Sequence, residues 1–401
     1  MTPRERIQAA IAHKTPDRIP VDFGGTPETG IAGVAYQALR THLRISGAPP
    51  RIYDVNQQLA VVEEPARERA GDDCLLLTVG CKEWRPWTLP DGSPCEVPAK
   101  WQPVRGTDGA DTVMGPAGAP LVRRLPRAYW FSPAGPVAPG LDSIADIPKF
   151  MPYIRILDRP PYLDESLEDL AQRARTLHRE TDYALVGHFG GHIFAACQLL
   201  RGMDNFMCDL IADKRFARAL LDAIADQHIA EFEHYVAALG SFVQVIALAD
   251  DLGSQRGPQM SVELFREIVR PPMERLYQFI KQHSDARLLL HSCGSVAALI
   301  PDLVEMGVDI LNPVQVSAAD MDTKRLKREF GRDLVFWGGG CDTQHILPFG
   351  TPAQVRDEVR RRIEDLGPDG FVFAQVHNIQ PGVPPQNMLA MWDAARDFGA
   401  S

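Results

Sequence analysis

The chain has 401 residues, of which 45% are hydrophobic and 23% charged, with a formal net charge of −10. That balance argues against a general nucleic-acid or membrane-surface partner, and no apolar run reaches the roughly 18 residues of a membrane span. Seven cysteines are thinly spread and the N-terminus has no apolar secretory core, so a cytoplasmic setting with free thiols is expected.

Thr2-Pro3-Arg4-Glu5 reads as a capping box with proline at the first helical position, predicting a helix over 2–13. "DRIPVDFGG" reads as a short strand ending at Asp22. "AGVAYQALRTHLRI" and "VNQQLAVVEEPARERAG" have helical periodicity, and "DDCLLLTVG" is a second strand. Residues 82–135 differ: tryptophans, prolines and glycines alternate with short extended pieces around the turn "LPDGSP", which predicts inserted β-hairpins.

From residue 164 helices and strands alternate. The strands are "YALVGHF", "FVQVIALADD", "ARLLLHSCG", "VDILNPVQ", "DLVFWGGGCDTQ" and "GFVFAQVHNIQ", each preceded by a helix, and "PPQNMLAMWDAARDF" closes the chain. Eight short apolar strands suit a parallel sheet buried on both faces. The expected fold is α/β: a (β/α)8 TIM-type barrel forming one domain over 1–401, with the hairpin insert at 82–135 after the second strand. No G-x-G-x-x-G or G-x-x-x-x-G-K-[ST] follows a strand, so nucleotide binding has no support.

In such a barrel the site is built at the C-terminal strand ends. Those ends carry Asp22, His188, Asp250 and Asp251, His291 and Cys293, Asn312 and Gln315, Cys341 and Asp342, and His377 and Asn378. His291, Cys293, Cys341 and His377 are far apart in sequence but able to meet on one rim as zinc ligands; imidazole and thiolate are the donors zinc favours. Adjacent Asp250 and Asp251 cannot both point into the mouth, so one is expected to serve as substrate contact or base while its neighbour caps a turn. Asp22, His188, Asn312 and Gln315 are expected to line a substrate site. His188 and His192 in "GHFGGH" have metal-like spacing, but the glycines break the helix that spacing would need. Cys74, Cys197 and Cys208 read as core thiols, and a disulfide between Cys81 and Cys95 is not expected.

The run from "DDLGSQRGP" through "HSCGSV", "GVDILNPVQ", "FWGGGCDTQHILPFGTPAQVRDEV" and "VHNIQPGVPPQN" resembles the uroporphyrinogen decarboxylase superfamily. It is most similar to the branch of cobalamin-dependent methyltransferases. The resemblance implies a (β/α)8 barrel, zinc held through an H-x-C motif matched by His291 and Cys293, and a corrinoid (cobalamin) supplied by a partner protein or as free substrate. The family's later cysteine falls where this chain has His377, which leaves Cys341 or His377 to complete the ligand set. The arginine-rich R-Q-A-G-R-Y of the decarboxylases has no counterpart in "VDFGGTPETGI".

The expected function is therefore a zinc-dependent methyltransferase, with a corrinoid-binding protein and a small molecule such as a thiol, folate or methoxylated compound as partners. A homodimer is a candidate assembly. A decarboxylase of a tetrapyrrole or other small acid is the second reading, and a non-catalytic corrinoid- or metabolite-binding protein with a structural metal is the third.

Overall fold

The computed structural model describes residues 1–115, 118 and 120–400. Its centre is a curled parallel sheet of seven strands. In spatial order from one edge they are Phe371–Val372, Val335–Trp337, Ile310–Asn312, Arg287–His291, Val245–Ala249, Ala184–Gly190 and Cys74–Leu77. The eighth expected strand is reduced to one residue. Val21 forms parallel bridges to Asp72 on one side and Phe373 on the other, so it joins the two edges and closes a (β/α)8 barrel. Asp22 N–H donates to the Phe373 carbonyl, Phe373 N–H to that of Pro20, and Asp73 N–H to that of Val21, each at 2.8 Å. The flanking glycines and prolines of "IPVDFGG" keep this strand short.

Side-chain alternation sorts the strands into two apolar layers. Val186, Val245, Ala247, Leu289, Ile310, Val335, Trp337 and Val372 fill the barrel interior. Ile7, Ala10 and Ile11 of the N-terminal helix Pro3–Ile11 join them. The Thr2–Glu5 capping box starts that helix as expected. Ile246, Leu248, Leu288, Leu290 and Leu311 face outward into the helical layer. Continuing the inward parity by two residues brings His291 and Asn312 to the top of the interior.

The segment after Cys74–Leu77 carries the expected hairpin, Trp84–Thr88 against Pro94–Pro98 around "LPDGSP". A four-stranded antiparallel sheet follows, built from Val104–Arg105, Asp111–Met114, Pro120–Arg124 and Ser132–Pro133. Phe131 N–H donates to the Asn56 carbonyl, and Val137 and Ala138 N–H to the carbonyls of Leu199 and Leu200, at 2.8–3.0 Å. The insert and the residues just after it are thereby tied to the turn at Asn56 and to the end of the helix Phe194–Arg201.

One helix expectation fails. In "VNQQLAVVEEPARERAG" only Glu64–Ala70 is helical, while Leu59–Ala60 pairs with Ile52–Asp54 as a hairpin. The Asp54 carboxylate takes the Asn56 and Gln57 N–H groups, and Gln58 adopts a left-handed φ of 59°, a turn that no helix can pass through. All seven cysteines are free, and no helix among the described residues is long and apolar enough to cross a membrane.

Candidate metal and substrate site

Two loops at the C-terminal rim, 250–254 and 291–295, are stitched together along their backbones. Asp250 N–H donates to the His291 carbonyl at 2.9 Å and Ser295 N–H to the Ser254 carbonyl at 2.7 Å. Leu252 N–H donates to Ser292 Oγ at 2.9 Å. The approach leaves no room for side chains at the crossing. A Cβ added to Gly253 would lie 2.5 Å from the Cys293 carbonyl oxygen, and one on Gly294, whose φ is +89°, would lie 2.7 Å from the Gly253 backbone. This crossing sets Asp251 beside Cys293, whose N–H donates to Asp251 Oδ1 at 3.0 Å.

The outcome is a compact set of donors. One ligand atom each from Asp251, His291 and Cys293 lie within 4.8 Å of one another, and His291 Nε2 is 3.7 Å from Asp251 Oδ1. The other imidazole nitrogen is committed. Asn312 donates its amide to the Trp337 carbonyl at 2.9 Å, which turns its Oδ1 toward His291 Nδ1 at 2.6 Å. Nδ1 therefore carries the proton and Nε2 presents its lone pair to the cluster, as a metal-binding histidine requires. Burial pushes the Cys293 thiol well up, and the charge of Asp251 adds to the effect. A thiol crowded by a carboxylate beside a basic imidazole nitrogen is a set that a divalent cation would relieve, so the residues present fit zinc.

Replacing Asn312 by alanine is expected to weaken zinc binding roughly 10- to 100-fold through loss of ring orientation, read by competition with a chromophoric chelator. Unchanged affinity in that variant would remove the positioning role.

The other candidates divide. His377 is half-buried with its ring centroid 5.5 Å from that of His291; burial, then the neighbouring His291, push its imidazole down. Gln315 is buried; its Oε1 accepts the Gly294 N–H at 2.7 Å and fixes the H-x-C-G turn, while its Nε2 has no partner among the described residues. His188 lines a cavity of about 360 Å³ with Thr78, Phe189 and Glu231.

Four expectations need correction, the first being Asn312, which is fully buried with both amide atoms committed to His291 and Trp337 and so does not line a substrate site. Cys341 is fully buried and joins the outer apolar layer; its thiol, raised by burial, feels Glu358 of the helix Pro352–Leu366. It therefore lies away from His291 and Cys293. Asp250 is not a base at the mouth: its two carboxylate oxygens accept N–H groups from Ile193, Phe194 and Ala195 at 2.7–2.9 Å, capping the helix Phe194–Arg201. Asp22 is likewise consumed, accepting from Gly25 N–H and Trp337 Nε1, both at 2.6 Å. It anchors the loop that follows the first strand and has no free oxygen for a substrate.

That loop holds the residue missing from the sequence reading. Glu28 lies in the short 3-10 turn Pro27–Thr29. Burial pushes its carboxyl up, but the nearby imidazoles of His291, His188 and His377, when protonated, outweigh burial and lower it. Its signal was a lone acid in "GGTPETG" directly after a strand end. Asp251 was named for proton or substrate work; only the loop crossing reveals it as a donor beside His291 and Cys293. Asp251 also borders an open cavity of about 590 Å³ between Pro133–Pro136 and residues 195–205.

A curled parallel barrel with a thiol–imidazole–carboxylate cluster at its C-terminal rim defines a TIM-barrel protein with a site fit for metal. The uroporphyrinogen decarboxylase (URO-D) family model matches residues 136–398, and the chain belongs to this family. Over 245 residues it is 25% identical to a uroporphyrinogen decarboxylase of Gloeobacter violaceus, covering 60% of this chain and 67% of that protein. It is 24% identical over 249 residues to that of Alkalilimnicola ehrlichii, covering 59% and 64%. Among solved structures, a methyltransferase from Methanosarcina mazei superposes with a TM-score of 0.59 at 17% identity, covering 99% of each chain. This is a likeness of fold.

Proposed function

We propose that this family member is a zinc-dependent methyltransferase, moving a methyl group between a corrinoid on a partner protein and a small acceptor or donor such as a thiol, folate or methoxylated compound. The observation that carries the reading is the convergence of Asp251, His291 Nε2 and Cys293, with Nδ1 of His291 already committed to Asn312. The full-length fold likeness to a methyltransferase supports it. Zinc held by these three groups, with His377 beside them, would supply a Lewis acid or keep a bound thiol ionised near neutral pH. Glu28, held ionised near the histidines, would add negative charge that complements a bound cation. The cavity beside Asp251 leaves the mouth approachable from outside, as docking of a corrinoid carrier requires.

The curated relatives favour a second reading, decarboxylation of a tetrapyrrole. The loop after the first strand weighs against it: an octa-acid substrate calls for guanidinium groups, and this loop has no arginine and presents Glu28 instead. A closed structural-metal site is the third reading, and the half-exposed Asp251 side chain argues against that.

The test supplies the zinc-loaded full chain with methylcobalamin and candidate thiols, folates and methoxylated aromatics, following the cobalt–methyl absorbance. Transfer should require both corrinoid and metal. Release of carbon dioxide from uroporphyrinogen by the metal-free chain would sink the methyl-transfer reading.

A further inference from the structure

Behind the loop that carries Glu28 lies a third cavity, of about 290 Å³, bounded by the tops of the first two barrel strands, the Ile52–Asp54/Leu59–Ala60 hairpin and the Trp84–Thr88 hairpin. Its walls are mainly apolar, including Val61, Val62, Leu76 and Leu163, with Tyr53 and Trp84 as aromatic faces. The volume suits a molecule built on one ring, at the small end of ligand pockets. It is far too small for a tetrapyrrole.

Two features specify the occupant. The first is an open hydrogen-bond position. Tyr53 Oη is buried and has no partner among the described residues. It lies against side-chain-free Gly30, where an added Cβ would sit 3.7 Å from the hydroxyl. A buried hydroxyl without a partner is destabilising, so its persistence beside a cavity points to a partner that arrives with a ligand. Burial, with nearby Asp54 and Glu28 adding to it, keeps the phenol in its protonated, donating form, so the ligand atom it meets is an acceptor. The second feature is charge balance. Both guanidinium groups on the wall already have their own carboxylates, Arg67 with Asp72 at 2.7 Å and Arg173 with Glu165 at 2.7 Å. Among the described lining residues no unmatched charge is left to hold an ion.

We propose that this cavity binds an uncharged, ring-sized apolar molecule whose single oxygen acceptor meets Tyr53 Oη. Its role as the small-molecule substrate rests on the methyl-transfer reading above; its binding does not. Gly30 places such a ligand two residues from Glu28, which in turn lies near His291, His188 and His377.

The test uses the metal-free full chain without corrinoid, so its failure is distinct from failure of methyl transfer. Binding of anisole, toluene and benzoate is measured by ligand-observed NMR and by the fluorescence of Trp84, with Trp84→Phe identifying the signal. Anisole should bind better than benzoate. Val61→Trp, at a 39% exposed position on the wall, should reduce anisole binding more than tenfold. Tyr53→Phe should weaken anisole roughly three- to tenfold, the worth of one hydrogen bond, and leave toluene unchanged. That variant loses only an unpartnered hydroxyl, so its thermal midpoint should not fall. Preference for benzoate, absence of anisole binding up to its solubility, anisole binding indifferent to Val61→Trp, or anisole binding indifferent to Tyr53→Phe would each overturn the proposal.

Discussion

Cys293→Ala is expected to reduce zinc from about one equivalent per chain to nearly none, while Cys341→Ala leaves zinc content unchanged. Cys293 lies within 4.8 Å of the donor atoms of Asp251 and His291, whereas the Cys341 thiol is buried against the helix Pro352–Leu366. Losing the thiolate from so small a set should weaken affinity more than about 100-fold. His377→Ala should cost less, roughly tenfold, because His377 adjoins His291 rather than belonging to the tight group. The pH dependence follows in sign. The Cys293 thiol is raised in the metal-free protein, so it is protonated across the neutral range and must release a proton as zinc binds. Apparent affinity should rise about tenfold per pH unit between about pH 6 and 8, and Cys293→Ala should flatten that slope. Calorimetry in buffers of different ionisation enthalpy counts the proton directly. Full zinc in Cys293→Ala, or its loss in Cys341→Ala, would invert the assignment.

The second large effect separates two neighbouring acids. Asp250→Ala should destabilise the fold by about 3–5 kcal/mol, because three buried N–H groups lose a charged acceptor together. Those donors belong to Ile193, Phe194 and Ala195, so the helix Phe194–Arg201 and the cavity wall beside Asp251 should loosen first. Asp251→Ala should cost less than about 1 kcal/mol, since its side chain is half exposed, yet it should weaken zinc binding. Chemical denaturation of both metal-free variants decides the matter. Equal midpoints would refute the division of labour between cap and ligand.

Much of the fold was legible because periodicity is local. The capping box at Thr2 and the apolar strands from residue 184 onward each follow from residues a few positions apart. The failure over 55–62 arose because Val55, Leu59 and Val62 recur at near-helical spacing, although the turn capped by Asp54 breaks the chain between them. "HSCGSV" named His291 and Cys293 for the same local reason: two soft ligands two residues apart before a glycine mark a strand end able to hold metal.

What the sequence could not decide was direction. Cys341 and His377 both follow strand ends, but a side chain after a strand turns inward or outward according to the loop that carries it. Only the fold shows Cys341 facing the helices and His377 facing His291. Asp250 and Asp251 are chemically identical in one dimension; three N–H groups more than fifty residues away claim the first, and the Gly253–Gly294 crossing delivers the second to Cys293. Local patterns determine elements because their hydrogen bonds close within a few residues. The site depends on which carboxylates are already spent on distant backbone donors, and that is settled only when the strands close into a barrel.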